Sequence, residues 1–181
     1  MGLFDEIEST PASLPKKDNI KAIGFRAEAD CVNWAVVTRT DGHLVLIKSD
    51  TVRFPNTYDE AHRLEWFRKR LHMTLDDHQP AIGGVRYPEP SAPKSNVTST
   101  NERIRVEGII LEALASKGVK SMTGALKTIS SEMGSKSAKS YLTNDTLRGL
   151  DWKGKPKNTR EAIMVAVAAM EHAEKRSSHG N

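Results

Sequence analysis

Apolar residues cluster in short runs through the first third of the chain and recur at helical spacing through the rest. "IKAIGF" (residues 20–25) is short and apolar, "NWAVVT" (33–38) is rich in β-formers, and "HLVLIKSDTVRF" (43–54) runs longer. Each reads as a strand. Asp41-Gly42 between the second and third predicts a hairpin, because glycine supplies the positive φ of the turn at little steric cost. Thr57, with Glu60 three residues on, predicts a capping-box helix start, and Ala61, Leu64, Phe67 and Leu71 follow at helical spacing. "PAIGGVRYP" (80–88) predicts a fourth strand broken by Pro88, and "EPSAPKSNVTST" (89–100) a Pro/Ser-rich loop. Ser99 and Glu102 repeat the capping-box spacing. Val106, Ile109, Ile110, Ala113 and Leu114 then form an apolar stripe that Gly118 ends.

A short fifth strand, "VKSM" (119–122), precedes three helices: "TGALKTISSEMG" (123–134), "SAKSYLTNDTLRGL" (137–150) and "NTREAIMVAVAAMEHAEKR" (158–176). The order is β-β-β-α-β-α-β-α-α-α. It predicts an α/β protein with a mixed five-stranded sheet, three hairpin-linked strands followed by alternating helices and strands, and helices on both faces. At 181 residues this is one domain, over 20–176, between tails at 1–19 and 177–181. The first tail carries "LFDEIES", then two prolines in "TPASLPKKD"; a disordered leader and a short partner-binding helix both fit it.

Composition adds three constraints. Cys31 is the only cysteine, which excludes an internal disulfide and a cysteine-based zinc site. No apolar run approaches the ~18 residues that span a membrane. The beginning, "MGLFDEIEST", lacks the regions of a secretion signal, and Glu6 stands where a myristoylation motif wants Ser or Thr. A cytoplasmic protein is the expectation. Charge is uneven: residues 1–100 hold 13 basic and 14 acidic side chains, and residues 101–181 hold 14 and 9. The excess in the second half permits an acidic partner without demanding one.

The run "NERIRVEGIILEALASKGVKSMTGALKTISSEMGSKSAKSYL…NTREAIMVAVAAMEHA" resembles the second half of the RuvC-type Holliday-junction resolvases, in the RNase H-like superfamily. "AIGFRAEADCVNWAVV" resembles their first strand and hairpin, so the likeness covers roughly residues 20–174. It implies an RNase H-like fold and a set of carboxylates: an aspartate near the end of the first strand, a glutamate at the end of the fourth, and acids opening the last helix. Together these would hold two Mg²⁺ ions that activate water against a phosphodiester. Here the pattern breaks. The positions fall on Arg26, Arg86, Asn158 and Glu161, so three of four ligands are absent and two have become cations that repel a metal.

A degenerate site follows as the expectation, with no cofactor and no bound metal. Arg26, Arg86 and Glu161 should lie together, Glu161 bridging the arginines in a pocket that attracts phosphate or sulfate and excludes Mg²⁺. Asn158 and Glu161 also have N-cap and N3 spacing, a structural account of the same acid. A counter-reading places a shifted metal site at Glu28 and Asp30, with Glu161 and Glu89 converging on them. Asp76, Asp77 and His78 read as a solvated turn, and "GGVR" has neither the length nor the lysine of a P-loop.

The basic residues carry more weight. Lys136, Lys139, Arg148, Lys153, Lys155, Lys157 and Arg160 gather in the last third, with Tyr141 and Trp152 among them. Of these, Lys136, Lys139, Lys153, Lys155, Lys157 and Arg160 are the candidate phosphate contacts, and Trp152 the candidate base-stacking side chain. A solvated lysine-rich loop explains the same residues. Trp34 and Trp66 read as packing. The functional expectation is therefore a catalytically inactive RuvC-like protein acting as a nucleic-acid-binding (DNA or RNA) or scaffolding subunit of a larger protein assembly. The alternative is an active metal-dependent nuclease with relocated carboxylates. The likeness to dimeric resolvases admits a homodimer.

Overall fold

A computed structural model describes residues 20–89 and 96–178 of the chain. The apolar runs become strands β1 (Ala22–Ala27), β2 (Cys31–Thr40), β3 (His43–Arg53), β4 (Ile82–Arg86) and β5 (Lys120–Gly124), ordered β3-β2-β1-β4-β5 in one sheet. β2 is antiparallel to β1 and β3, while β4 and β5 run parallel to β1. Four strands thus end at the same edge of the sheet. Asp41 and Gly42 close the β2–β3 hairpin with φ of 50° and 79°, the paired left-handed turn that their dipeptide predicts.

Helices α1 (Glu60–His78) and α2 (Val97–Ser116) cover one face, where Phe67, Leu71, Ile110 and Leu114 pack on Ile23, Phe25, Trp34 and Val85. The other face carries α3 (Leu126–Glu132), α4 (Ala138–Leu142), a small hairpin of β6 (Thr146–Leu147) and β7 (Leu150–Asp151), and the long α5 (Lys157–Ser178). α5 is apolar all round over Ala162–Met170 because every residue there is buried. Gly24 in the middle of β1 sets how closely it sits: a Cβ at that position would collide with the backbone of Ala162 and Ala166. The α/β fold with its mixed five-stranded sheet is the one the pattern predicts.

Three local expectations are corrected. Asp59, not Thr57, caps α1, its carboxylate accepting the His62 N–H at 2.9 Å. Asn96, not Ser99, caps α2, accepting from Thr98 N–H at 3.0 Å. The third correction is larger. Of the helix predicted over 137–150 only Ala138–Leu142 forms, and the chain then turns into β6 and β7. The run Thr143-Asn144-Asp145 favours turns over helix interior. Arg148 and Gly149 make the tight reversal with φ of 49° and 86°, which buries Leu147 and Leu150 together. α5 runs to Ser178, two residues beyond the predicted domain boundary, and the first tail lies outside the described residues. Among the described residues no helix is long and apolar enough to cross a membrane.

Candidate functional site

At the edge where β1 and β4 end, Arg26 and Arg86 meet Glu161 from the first turns of α5. The closeness of α5 to β1 at Gly24 makes that meeting feasible across 135 residues of sequence. Arg26 Nε donates to Glu161 Oε2 at 3.1 Å, and its Nη1 donates to the Ala27 carbonyl at 2.7 Å. Arg86 Nε lies 3.2 Å from the same Glu161 oxygen, but its N–H is not aligned for a hydrogen bond, so this contact is ionic. The Glu161 side chain is only 3% exposed, against 17% and 11% for the arginines. Burial pulls the Arg86 pKa below its ordinary value; the Glu161 charge opposes that pull, and Arg26 adds to it. One buried carboxylate thus stands between two partly buried cations.

Beside the cluster, Glu28 Oε1 accepts from Asn33 Nδ2 at 3.1 Å and from Asn158 Nδ2 at 2.5 Å, and lies 3.9 Å from Arg26 Nη1. Asn33 is itself fixed, its amide oxygen accepting from Thr51 Oγ1 at 2.8 Å and Thr159 Oγ1 at 3.4 Å. Asn158 and Glu161 do not form the predicted capping pair. α5 already begins at Lys157, and both side chains turn to tertiary partners instead.

Two Mg²⁺ ions, the group an active RNase H-like site holds, do not fit this donor set. Its most deeply buried carboxylate, Glu161, is matched to two guanidinium groups, and an amide occupies the neighbouring position. Glu28, Asp30 and Cys31 do offer donor atoms within 4.8 Å of one another. Burial first, then the Glu28 and Asp30 charges, push the Cys31 thiol up to about 12, so it stays protonated at neutral pH. Asp30 is exposed and faces Arg53 at 3.8 Å. Glu89 does not converge on them; its carboxylate accepts the Leu126 N–H at the start of α3.

Two members of the cluster escaped the sequence reading. Arg103 and Glu107 lie one turn apart on α2, Nε to Oε1 at 3.3 Å, with Glu107 buried. Burial raises the Glu107 pKa, while Arg103, Arg26 and Arg86 hold it back. The signal was present: Glu107 interrupts the stripe that Ile110 and Leu114 continue at i+3 and i+7.

The C-terminal basic candidates divide. Lys136, Lys139, Lys153 and Lys157 are exposed and Lys155 half-buried. Trp152 is corrected from a stacking platform to a core residue. It is 1% exposed, its Nε1 donates to the Asn144 carbonyl at 2.7 Å, and no face is open to a base. Arg160 covers that ring at 5.5 Å and donates to the Lys155, Leu142 and Asn144 carbonyls, so it braces the loop from within. Arg148 is tied to Glu171 and the Met133 carbonyl. At the opposite edge, Asp76 pairs with Lys117 at 2.5 Å and the His78 ring lies tilted against Trp34, centroids 5.5 Å apart, away from this cluster.

No protein-family model and no curated protein sequence matches the chain. Solved structures do. RuvC of Thermus thermophilus superposes with a TM-score of 0.71 at 15% identity, over 87% of this chain and 97% of that one. The fold is that of RuvC. T. thermophilus RuvC in complex with a Holliday junction substrate gives 0.69 at 13% identity, over 87% and 96%. The yeast mitochondrial Holliday junction resolvase Ydc2 gives 0.55 at 10%, over 90% and 82%. The chain therefore spans nearly the whole of RuvC, with an RNase H-like sheet in common.

Proposed function

We propose that this chain is a catalytically inactive RNase H-like domain, a nucleic-acid-binding or scaffolding subunit of a larger assembly. The observation that carries the reading is the single Glu161 oxygen held by both Arg26 and Arg86, which places cations where a metal-dependent nuclease needs anionic ligands. Nucleic acid is the favoured partner on two grounds. The fold is that of a junction-binding resolvase, and Lys136, Lys139, Lys153 and Lys157 are exposed, without ion pairs among the described residues. A homodimer is supported by the outer side of α2. Val97 (73% exposed) and Ile104 (54%) face away from the core there, beside an open hollow lined by Tyr87, Gly108 and Leu111.

The test pairs binding with cleavage. A labelled four-way junction and a single strand are titrated with the protein, then incubated with Mg²⁺ and with Mn²⁺. Binding without cleavage is expected. The grouping of Glu28, Asp30 and Cys31 donors supports a second reading, a nuclease with relocated ligands. Cleavage abolished by Glu28→Ala or Asp30→Ala would establish it and overturn the first.

A further inference from the structure

We propose that the groove beside the ionic cluster seats one phosphodiester group of a nucleic-acid backbone, gripped by Arg26 and Arg103 without a metal ion. The inference rests on the nucleic-acid reading and deepens it by naming the seat. A cavity of about 260 Å³ opens there, lined by Arg26, Glu28, Asp30, Ser99 and Arg103. A guanidinium carries five N–H donors in a fixed fork. Arg103 turns its buried Nε toward Glu107 and makes no aligned hydrogen bond there, and its terminal nitrogens have no hydrogen-bond partner among the described residues. Arg86, behind it, is in the same condition against Glu161.

The terminal nitrogens of Arg103 match the paired oxygens of a phosphate, and Arg26, whose Nε and Nη1 are held by Glu161 and the Ala27 carbonyl, adds only its remaining Nη2 in the same groove. Ser99 adds a hydroxyl from the first turn of α2, where the helix end favours an anion. The acids in the same wall set the selectivity. Arg26 and Arg103 are already offset by Glu161 and Glu107, and Glu28 and Asp30 add two acids to the wall. The seat therefore holds an anion by aimed N–H donors and not by net charge, which suits a singly charged diester. Glu28 is held off by the Asn33 and Asn158 amides, and Asp30 looks toward Arg53.

The experiment measures binding of a fluorescent single strand and a four-way junction in EDTA across a salt series, for wild type, Arg103→Gln and Arg103→Lys. Arg103→Gln should weaken both by about tenfold and lower the salt slope by about one phosphate contact. Arg103→Lys should recover the slope but only part of the affinity, since an ammonium cannot grip bidentately. Thermal melts confirm folding, and Arg103→Gln/Glu107→Gln replaces the single variant if that one unfolds. A folded variant with wild-type affinity and slope overturns the seat while leaving the nucleic-acid reading intact. In a second arm, inorganic phosphate is titrated while the arginine Nε–H resonances are followed by NMR. Shifts in wild type, much weaker than those from the oligonucleotide, support a diester seat. Shifts with phosphate but no oligonucleotide binding would overturn the nucleic-acid reading and the diester with it. No shift and no binding would overturn both.

Discussion

The strand-end cluster and the C-terminal basic loop are both rich in cations, and they use them in opposite ways. Arg26 and Arg86 are partly buried and share one carboxylate from an element far along the chain, so their charge is tied into tertiary structure. Lys153 and Lys157 are exposed and free of ion pairs among the described residues, so theirs remains open to a partner. Even within the loop, the residues with the most distinctive chemistry, Trp152 and Arg160, are turned inward to hold it in shape. Charge count therefore misleads here, and burial decides which cations are available.

That contrast can be broken most forcefully at Glu161. Glu161→Gln removes the buried counter-charge that Arg26 and Arg86 share, leaving Arg26 only the longer Glu28 contact, and should cost about 3–5 kcal/mol, read by chemical denaturation. Lys153→Gln should stay within about 0.5 kcal/mol. Equal losses would show that the cluster is no more integral to the fold than the surface is. Trp152→Ala should destabilise by a comparable ~3–5 kcal/mol through loss of a buried ring. A stable Trp152→Ala protein with weakened single-strand binding would instead reinstate the stacking role.

Changing Lys153, Lys155 and Lys157 together to Glu should leave the melting curve nearly unchanged. Nucleic-acid affinity should fall and its salt dependence flatten, because fewer counterions are released. The oligomer is sharpened by Ile104→Lys: if the outer side of α2 pairs two copies, sedimentation should report a lighter species with an unchanged fold.

The smallest effect is one of pH. Burial raises the Glu107 pKa, so the folded protein holds that proton more tightly than the unfolded chain does. Its contribution to stability is then present at acid pH and lost as pH rises from the ordinary glutamate range through the raised value. Glu107→Gln should remove that slope from the stability profile, and a profile still carrying it would assign the slope to another group.

Much of this was legible in the sequence, for identifiable reasons. Strand runs and Asp41-Gly42 are governed by local sterics, so the sheet and its hairpin follow from a few adjacent residues. Arg26, Arg86 and Glu161 could be placed together only through the resemblance to RuvC-type resolvases, since the order β3-β2-β1-β4-β5 is not one that the sequence of elements fixes by itself. What local pattern could not supply was competition between local and distant partners. Asn158 has capping chemistry but donates to Glu28, 130 residues away. The segment after Leu142 has helical spacing of its leucines, yet Arg148 reverses the chain so that Leu147 and Trp152 reach the α5 core. Arg103 and Glu107 went unread because a charged pair on an apolar stripe makes sense only once the arginines from β1 and β4 stand across from it.

The sharing of one Glu161 oxygen between two arginines also bears on history. Suppose an ancestor of this chain held metal here. Returning Arg26 to aspartate alone would set two acids side by side with only Arg86 between them. Returning Arg86 alone would do the same against Arg26. Each single step back passes through a form with mismatched buried charge before any ligand set is complete. On that supposition the cluster would act as a ratchet: with both arginines closed on Glu161, a metal site would return only by several substitutions at once, and selection would be left to refine whatever else the fold can hold.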